Sequence, residues 1–282
     1  MKNKLGITAA AILAAVSLAA CSNGNNQSSS QSSKTSSSKI VKKNTNKQSA
    51  QSSEKEQSSS SSNSSSSSSS QKASSQAPEH DRMGYFTGKL RKALPGMLLP
   101  TKDGLGTGSD KLNVRYTSSG DTNTVYYSVG DTAKDFNSDS VKNERPYAVL
   151  KEVKNASNAE DIINYSPEQK GLPTKKLDDN TTGTIQGAAG QRYLQWNKDK
   201  WSFVIQANSM MKKDPTDRGK EVLALVNQYG VPSTSTHGNL HVTLGDHMGS
   251  LNTVIAWQDG KNVYELKAHD TETALKMLNS LK

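Results

Sequence analysis

From Leu112 onward apolar and polar residues alternate with a period of two. Leu112, Val114 and Tyr116 are interleaved with Asn113, Arg115 and Thr117, and beyond Ser118-Ser119-Gly120-Asp121 the alternation resumes at Val125, Tyr127 and Val129. Such alternation on both arms of a turn predicts an antiparallel pair with one buried and one wet face. A third strand is expected at Tyr147 to Val153, followed by a short helix at Ala159 to Asn164 with Asn158 as its N-cap. Leu240, Val242 and Leu244 predict a further strand. Upstream, Gly84 to Ala93 reads as one helix, leading into the proline-bounded apolar run Leu94-Pro95-Gly96-Met97-Leu98-Leu99-Pro100.

The C-terminal half contains an internal repeat. The segment from Trp196 to Ala207 can be laid over that from Trp257 to Ala268, each a strand, a tight turn and a second strand. Taking Asp259-Gly260 as a two-residue type I′ turn places Ile255 opposite Tyr264 and Trp257 opposite Asn262. The same register in the first copy pairs Leu194 with Phe203 and Trp196 with Trp201. A helix follows each hairpin. The first has Asp214 or Thr216 as cap, Pro215 near its start, Val222, Leu225, Val226 and Tyr229 on one face, and Gly230 as its stop. The second is capped by Asp270, with Ala274, Leu278 and Leu281 on one face, widened by Leu275 and Met277. The sum is an α+β domain: a curved antiparallel sheet of six to eight strands with helices packed on one face, and hairpin–helix units repeated in the C-terminal half.

The N-terminal 78 residues follow none of these patterns. In residues 22–78, 26 of the 57 positions are serine, Ile40 and Val41 are the only bulky aliphatics, and aromatic residues are absent. That composition cannot offset its chain entropy by burial and predicts a disordered tether, with a root-mean-square span of roughly 40 Å. All fifteen aromatic residues fall between Tyr85 and Tyr264, which marks 79–282 as the globular unit. The whole-chain net charge of +9 and hydrophobic fraction of 32% therefore describe the folded part poorly. Lys2 and Lys4 carry two of the nine charges. The tether's seven lysines against Glu54 and Glu56 carry five more, which leaves +2 from Glu79 onward. A near-neutral domain without basic-aromatic clustering excludes nucleic acid as a partner. The tether lysines suit anionic lipid headgroups or acidic wall polymers.

Residues 1–20 have the layout of a secretory signal: Lys2 and Lys4, then an apolar run from Leu5 to Leu18 too short to span a bilayer comfortably. The run ends at Leu18-Ala19-Ala20-Cys21, and these four residues resemble the lipobox of bacterial lipoprotein signal peptides. The resemblance implies cleavage before Cys21 and a diacylglyceryl group on its thiol, palmitate being a typical acyl chain, and so a lipid anchor on the extracellular face of the cell membrane. Cys21 is the only cysteine, which excludes an intramolecular disulfide and any multi-thiolate metal site. The stretch Leu94 to Pro100 resembles the start of the folded domain in surface lipoproteins of low-GC Gram-positive, lactic-acid-bacterium-type organisms. The order of elements and the segment Trp257 to Leu281 are similar to a domain family of unknown function in Bacillus-type lipoproteins. More distantly they resemble the half-barrel of bacterial lipoprotein carriers.

Candidate chemistry is sparse. His237, His241 and His247 lie within eleven residues, beside Asp246 and ahead of His269. His237 and His241 share a strand face opposite Leu240, Val242 and Leu244, so they read as exposed histidines, and no metal site is expected. Ser209-Met210-Met211-Lys212 has the Ser-x-x-Lys spacing of penicillin-recognising enzymes but lacks a Lys-Thr-Gly partner, and Ser138-Asp139-Ser140 is a poor second element. Gly104 to Gly108 precedes a strand and is a loop, not a phosphate cradle. Glu160-Asp161 and Asp178-Asp179 read as solvated pairs. No catalytic motif or cofactor site stands out. The expected function is a non-catalytic binding or accessory module of the cell envelope. Its candidate ligands are a wall polymer, another protein or an apolar molecule; the apolar one implies a pocket lined by Leu194, Trp196, Phe203, Ile255, Trp257 and Tyr264, residues whose alternative role is ordinary core packing. The alternative is a cell-envelope hydrolase with a site assembled from scattered polar residues.

Overall fold

A computed structural model describes residues 81–209, 214–245 and 249–282. Residues 1–80, with the expected signal, Cys21 and the expected tether, lie outside the described residues. The elements run in the order α1 (Arg82–Ala93), β1 (Leu112–Ser119), β2 (Thr122–Val129), β3 (Pro146–Val153), α2 (Ala159–Ile163), β4 (Thr174–Lys176), β5 (Thr182–Ala188), β6 (Gln191–Lys198), β7 (Trp201–Asn208), α3 (Pro215–Tyr229), β8 (Gly238–Leu244), β9 (Thr253–Asp259), β10 (Asn262–Ala268) and α4 (Thr271–Leu278). The domain is α+β, with one sheet of ten strands ordered β1-β2-β3-β10-β9-β8-β7-β6-β5-β4. Among the described residues no helix is long and apolar enough to cross a membrane.

The alternation read from the sequence sets the two faces. Leu112, Val114, Val125, Tyr127, Leu150, Leu240, Ile255, Leu266, Phe203 and Leu194 all point to one face and are buried. Phe86 and Leu90 of α1, Val222 and Val226 of α3, and Ala274, Leu275 and Leu278 of α4 complete the same core. Two features go beyond the antiparallel, one-faced sheet expected. The first is that β7 and β8 pair in parallel, Phe203 with Leu240 and Ile205 with Val242. A parallel pair cannot be closed by a tight turn, and α3 makes the crossover. The second is that α2 takes the opposite face. The Asn164 carbonyl just past it accepts a hydrogen bond from Asn239 Nδ2, and Asn239 alternates with core-facing Leu240. Ile163, Val204, Ala256 and Val263 are buried outside the main core. The sheet gains strands because the Thr- and Gly-rich residues 174–188, in which alternation is weak, add β4 and β5 at one edge.

Both hairpins of the internal repeat form, each with the register displaced by two residues from the predicted one. Trp257 lies opposite Tyr264 and Asp259 opposite Asn262; Trp196 lies opposite Phe203 and Lys198 opposite Trp201. The turn needs a positive φ at its first central residue, and Gly260 (φ 58°) and Asp199 (φ 53°) occupy that position. A two-residue displacement keeps every side chain on its face. It also puts each tryptophan directly against an aromatic partner. Trp196 stacks on Phe203 at 5.1 Å between centroids, and Trp257 on Tyr264 at 5.3 Å.

Of the three caps expected from the sequence, Asp214 and Asp270 form and Asn158 does not, while Asp81 caps α1 in addition. Asp81 accepts from the Gly84 N–H, Asp214 from Thr216, and Asp270 from Glu272 and Thr273. Asn158 makes no side-chain cap bond to α2. The run from Leu94 to Pro100 ties the start of the domain to its end, with Leu99 and Lys282 exchanging backbone hydrogen bonds of 3.2 and 3.1 Å. The free edge of β1 is partly covered, since Asn137 donates its N–H to the Val114 carbonyl and its Oδ1 accepts from Tyr116; capping an edge in this way limits strand addition.

Gly238 sits opposite Trp201 across the parallel junction. A Cβ there would lie 2.5 Å from two ring atoms of Trp201, a ring already held by its Nε1 donating to the Pro232 carbonyl at 3.1 Å. Gly238→Ala is therefore expected to lower stability by about 1–3 kcal/mol, read as a fall in the denaturant midpoint with unchanged slope.

Candidate functional site

The described chain forms a polar cleft of about 420 Å³ where three elements meet. The first is the turn between β4 and β5. Asp178 Oδ1 accepts the N–H groups of Asn180 at 2.9 Å and Thr181 at 2.6 Å, folding the chain back so that Asn180, Thr181 and Thr182 line the cleft. Short Asx turns of this kind are the usual use of aspartate ahead of a reversal. The second is the end of β6, Trp196 to Lys198. The third is α3, whose Leu223 and Asn227, four residues apart and so on one face, complete the lining.

Close approach of α3 to the sheet positions that helix. A Cβ on Gly219 would lie 2.2 Å from a Leu194 methyl, and one on Gly183 of β5 would lie 2.7 Å from the other. Leu194 thus fills the gap between two glycines, and neither the helix nor β5 could approach it as closely with a larger residue.

The chemistry of the cleft is neutral and hydrogen-bonding. Asp178 and Lys198 balance in formal charge. The Asp178 carboxyl is held below the usual range, chiefly by the Asn180 backbone N–H. Asn197 spends its amide donors on the Ser166 carbonyl and Tyr165 hydroxyl. Trp196 is 3% exposed, and its indole N–H is buried without a protein acceptor. An unpaired buried donor costs about 1–3 kcal/mol.

A second cleft of about 410 Å³ lies between the β6–β7 turn and residues 231–234. Its polar groups are largely spent on one another: Lys200 Nζ donates to the Thr234 and Ser235 carbonyls, and the Trp201 N–H to Pro232.

Leu194, Trp196, Phe203, Ile255, Trp257 and Tyr264 are each 0–3% exposed and belong to the main core. The structure gathers them as the two stacked pairs and their neighbours on the apolar face, and of the six only Trp196 borders either cleft. The histidines are dispersed. His237 stacks on Tyr165 at 4.1 Å with its Nδ1 3.1 Å from the Glu160 carboxylate. His241 is half-buried against Gln206, and burial lowers its pKa. His247 and Asp246 lie outside the described residues, as do Met210 to Lys212 of the Ser-x-x-Lys match. Ser209 donates to the Gly190 carbonyl. Among the described residues no three His, Cys, Asp or Glu side chains gather to hold a metal.

The buried carboxylate Glu152 accepts from Asn123 at 2.8 Å, Asn262 at 3.2 Å and the Tyr264 hydroxyl at 2.6 Å, closing one end of the core. Glu144 is opposed by burial but pulled down overall by Lys134, Ser128 and Asn113, pinning the segment after β2 onto β1. Sequence reasoning passed over Asn180, Thr182 and Asn227. The run Asp178-Asp179-Asn180-Thr181-Thr182 announces a turn, but nothing local announces its approach to Trp196 and α3.

His269 and Asp270 form a part-buried ionisable pair with opposed shifts. Burial alone would raise the Asp270 carboxyl, but hydrogen bonds from His269 and Thr273 outweigh it and hold it well below the usual range. Its hydrogen bond in turn raises His269 above its ordinary 6.5. A raised histidine stabilises the fold fully below pH 6.5 and loses that contribution as pH rises through its folded value. His241 titrates in the opposite sense, so the readout is a difference. Between about pH 6 and pH 8, the stability gap between wild type and His269→Gln is expected to shrink as pH rises, measured by denaturant unfolding. No protein-family model, curated protein or solved structure matches this chain.

Proposed function

We propose that this protein is a lipid-anchored lipoprotein of the extracellular face of a Gram-positive cell membrane, and that its folded domain is a non-catalytic binding module of the envelope. The observation that carries the binding reading is the disposition of ionisable groups. The histidines and carboxylates described above stand in caps, turns and structural hydrogen bonds, while the β4–β5/β6/α3 cleft presents amides and hydroxyls. Such a surface holds a ligand by hydrogen bonds, and the carboxylate at its edge, Asp178, is engaged in the turn that shapes it.

Anchoring rests on Cys21, the chain's one cysteine, standing directly behind Leu18-Ala19-Ala20 and the apolar run. Two acyl chains hold a protein stably where one does so only marginally. The serine-rich segment then lets the domain sample a layer roughly 40 Å deep above the bilayer. Labelling of cells with an alkynyl palmitate, followed by fractionation, tests the anchor. Wild type is expected to be labelled and to sediment with membranes, and Cys21→Ser to lose both properties; a labelled, sedimenting Cys21→Ser chain would overturn the proposal.

A further inference from the structure

We propose that Lys134 and Asn113 join spontaneously in the folded chain, through an amide between the lysine Nζ and the asparagine Cγ, to make a covalent brace at the edge of the sheet. This is independent of both the anchor and the cleft. With one cysteine in the chain, no disulfide can brace this edge.

Nucleophile and leaving group share one carboxylate. Asn113 on the edge strand β1 is fully buried, and its Nδ2 donates to Glu144 Oε1 at 3.0 Å, to Glu144 Oε2 at 3.1 Å and to the Thr132 carbonyl at 3.0 Å. Lys134 Nζ lies 2.7 Å from the same Oε1 and 3.3 Å from the Ser140 carbonyl. The amine and the nitrogen it would displace are thus each one hydrogen bond from a single oxygen, the proximity that makes such a reaction intramolecular. Gly130 keeps the space clear, since a Cβ there would overlap Oε1 and lie 2.8 Å from Asn113 Nδ2.

The carbonyl is activated from its other side. Asn113 Oδ1 accepts from the Lys134 backbone N–H at 2.7 Å and from Arg82 Nη2 at 3.2 Å. Two donors, one of them a buried guanidinium, therefore point at the atom on which charge develops when an amine adds.

Atoms and protons are conserved without a co-reactant. A proton passes from Nζ to Glu144 Oε1, leaving a neutral amine beside a carboxylic acid. The amine lone pair forms the Nζ–Cγ bond, and the carbonyl electrons move onto Oδ1 against Arg82 and the Lys134 N–H. Glu144 gives its proton to Nδ2 and takes one from Nζ as the carbonyl re-forms and the Cγ–Nδ2 bond breaks. Ammonia leaves, as ammonium once it takes the remaining proton from Glu144. Burial favours the neutral acid, but bonds from Lys134, Ser128 and Asn113 hold the Glu144 carboxyl below its usual range, so the ion pair is the resting state and the neutral pair a minor one. A minor state suffices for an event that happens once per chain and is made irreversible by the loss of ammonia.

Trypsin digestion and mass spectrometry of the folded full chain, sampled over days in neutral buffer, test this. Trypsin cuts after Lys111, Arg115 and Lys142 but not after an acylated Lys134. The expected product is therefore residues 112–115 joined to residues 116–142, lighter than the two separate peptides by one ammonia. Lys134→Arg keeps the ion pair without a primary amine and is expected to give separate peptides alone. Glu144→Gln keeps the side-chain shape but cannot relay a proton; it is expected to slow linkage by about a hundredfold or more, with thermal melts reporting whether it folds. Folded wild type that yields only the separate peptides 112–115 and 116–134 overturns the proposal. Linkage that persists in Lys134→Arg, or runs at an unchanged rate in folded Glu144→Gln, overturns it as well. If Glu144→Gln does not fold, the wild-type and Lys134→Arg digests decide.

Discussion

Eight of the nine strand junctions in the sheet are antiparallel, and the ninth, between β7 and β8, is parallel. The antiparallel junctions between consecutive strands need little more than a turn or loop between neighbours. The parallel one requires the chain to leave the sheet, cross its apolar face and return in the same direction. Helix α3 does this, and much of the architecture follows from its path. Gly219 lets it press on Leu194, Gly238 gives Trp201 room where the returning strand pairs, and Asp214 and Gly230 set where the crossing starts and stops. The cleft is a by-product of the same path, because the last turns of α3 bring Leu223 and Asn227 to the end of β6.

The two aromatic stacks lie on either side of this junction and share one geometry. In each a tryptophan on the first arm of a hairpin faces an aromatic on the second, near a turn whose first central residue has positive φ. Cross-strand aromatic pairs of this kind contribute about 0.5–1.5 kcal/mol beyond their area. Their environments diverge. Tyr264 turns its hydroxyl to the buried Glu152 and accepts from the Leu98 N–H, so the second hairpin is locked to the N-terminal strands and the loop after α1. Phe203 has no such handle, and the indole N–H of its partner Trp196 is left without a protein acceptor. Both copies lie in the core, and the ring of Trp196 also borders the cleft.

Polar side chains elsewhere in the domain serve attachment. Arg82 is 3% exposed and donates to the Leu112 and Lys134 carbonyls and to Asn113 Oδ1, fastening α1 to the edge of the sheet. Such networks are stabilising only when each member is satisfied, and here they join segments far apart in sequence.

Period-two alternation, capping aspartates, the helix-stopping Gly230 and the repeated tryptophans were all legible in the sequence, because each is a rule about residues a few positions apart. The α+β class, the faces of the strands, the start and end of α3 and the start of α4 follow from such rules; α4 itself stops at Leu278, and Leu281, expected on its face, bridges to Pro100 instead. Tertiary structure alone decided the hairpin registers, since a two-residue displacement leaves the pattern of faces unchanged and only the turn dihedrals choose between them. It also decided the parallel junction, the placement of α2 on the opposite face and the meeting of Asn180, Trp196 and Asn227. Those depend on contacts between residues tens of positions apart, and no local periodicity encodes which face a crossing helix will cover or which turn it will meet there.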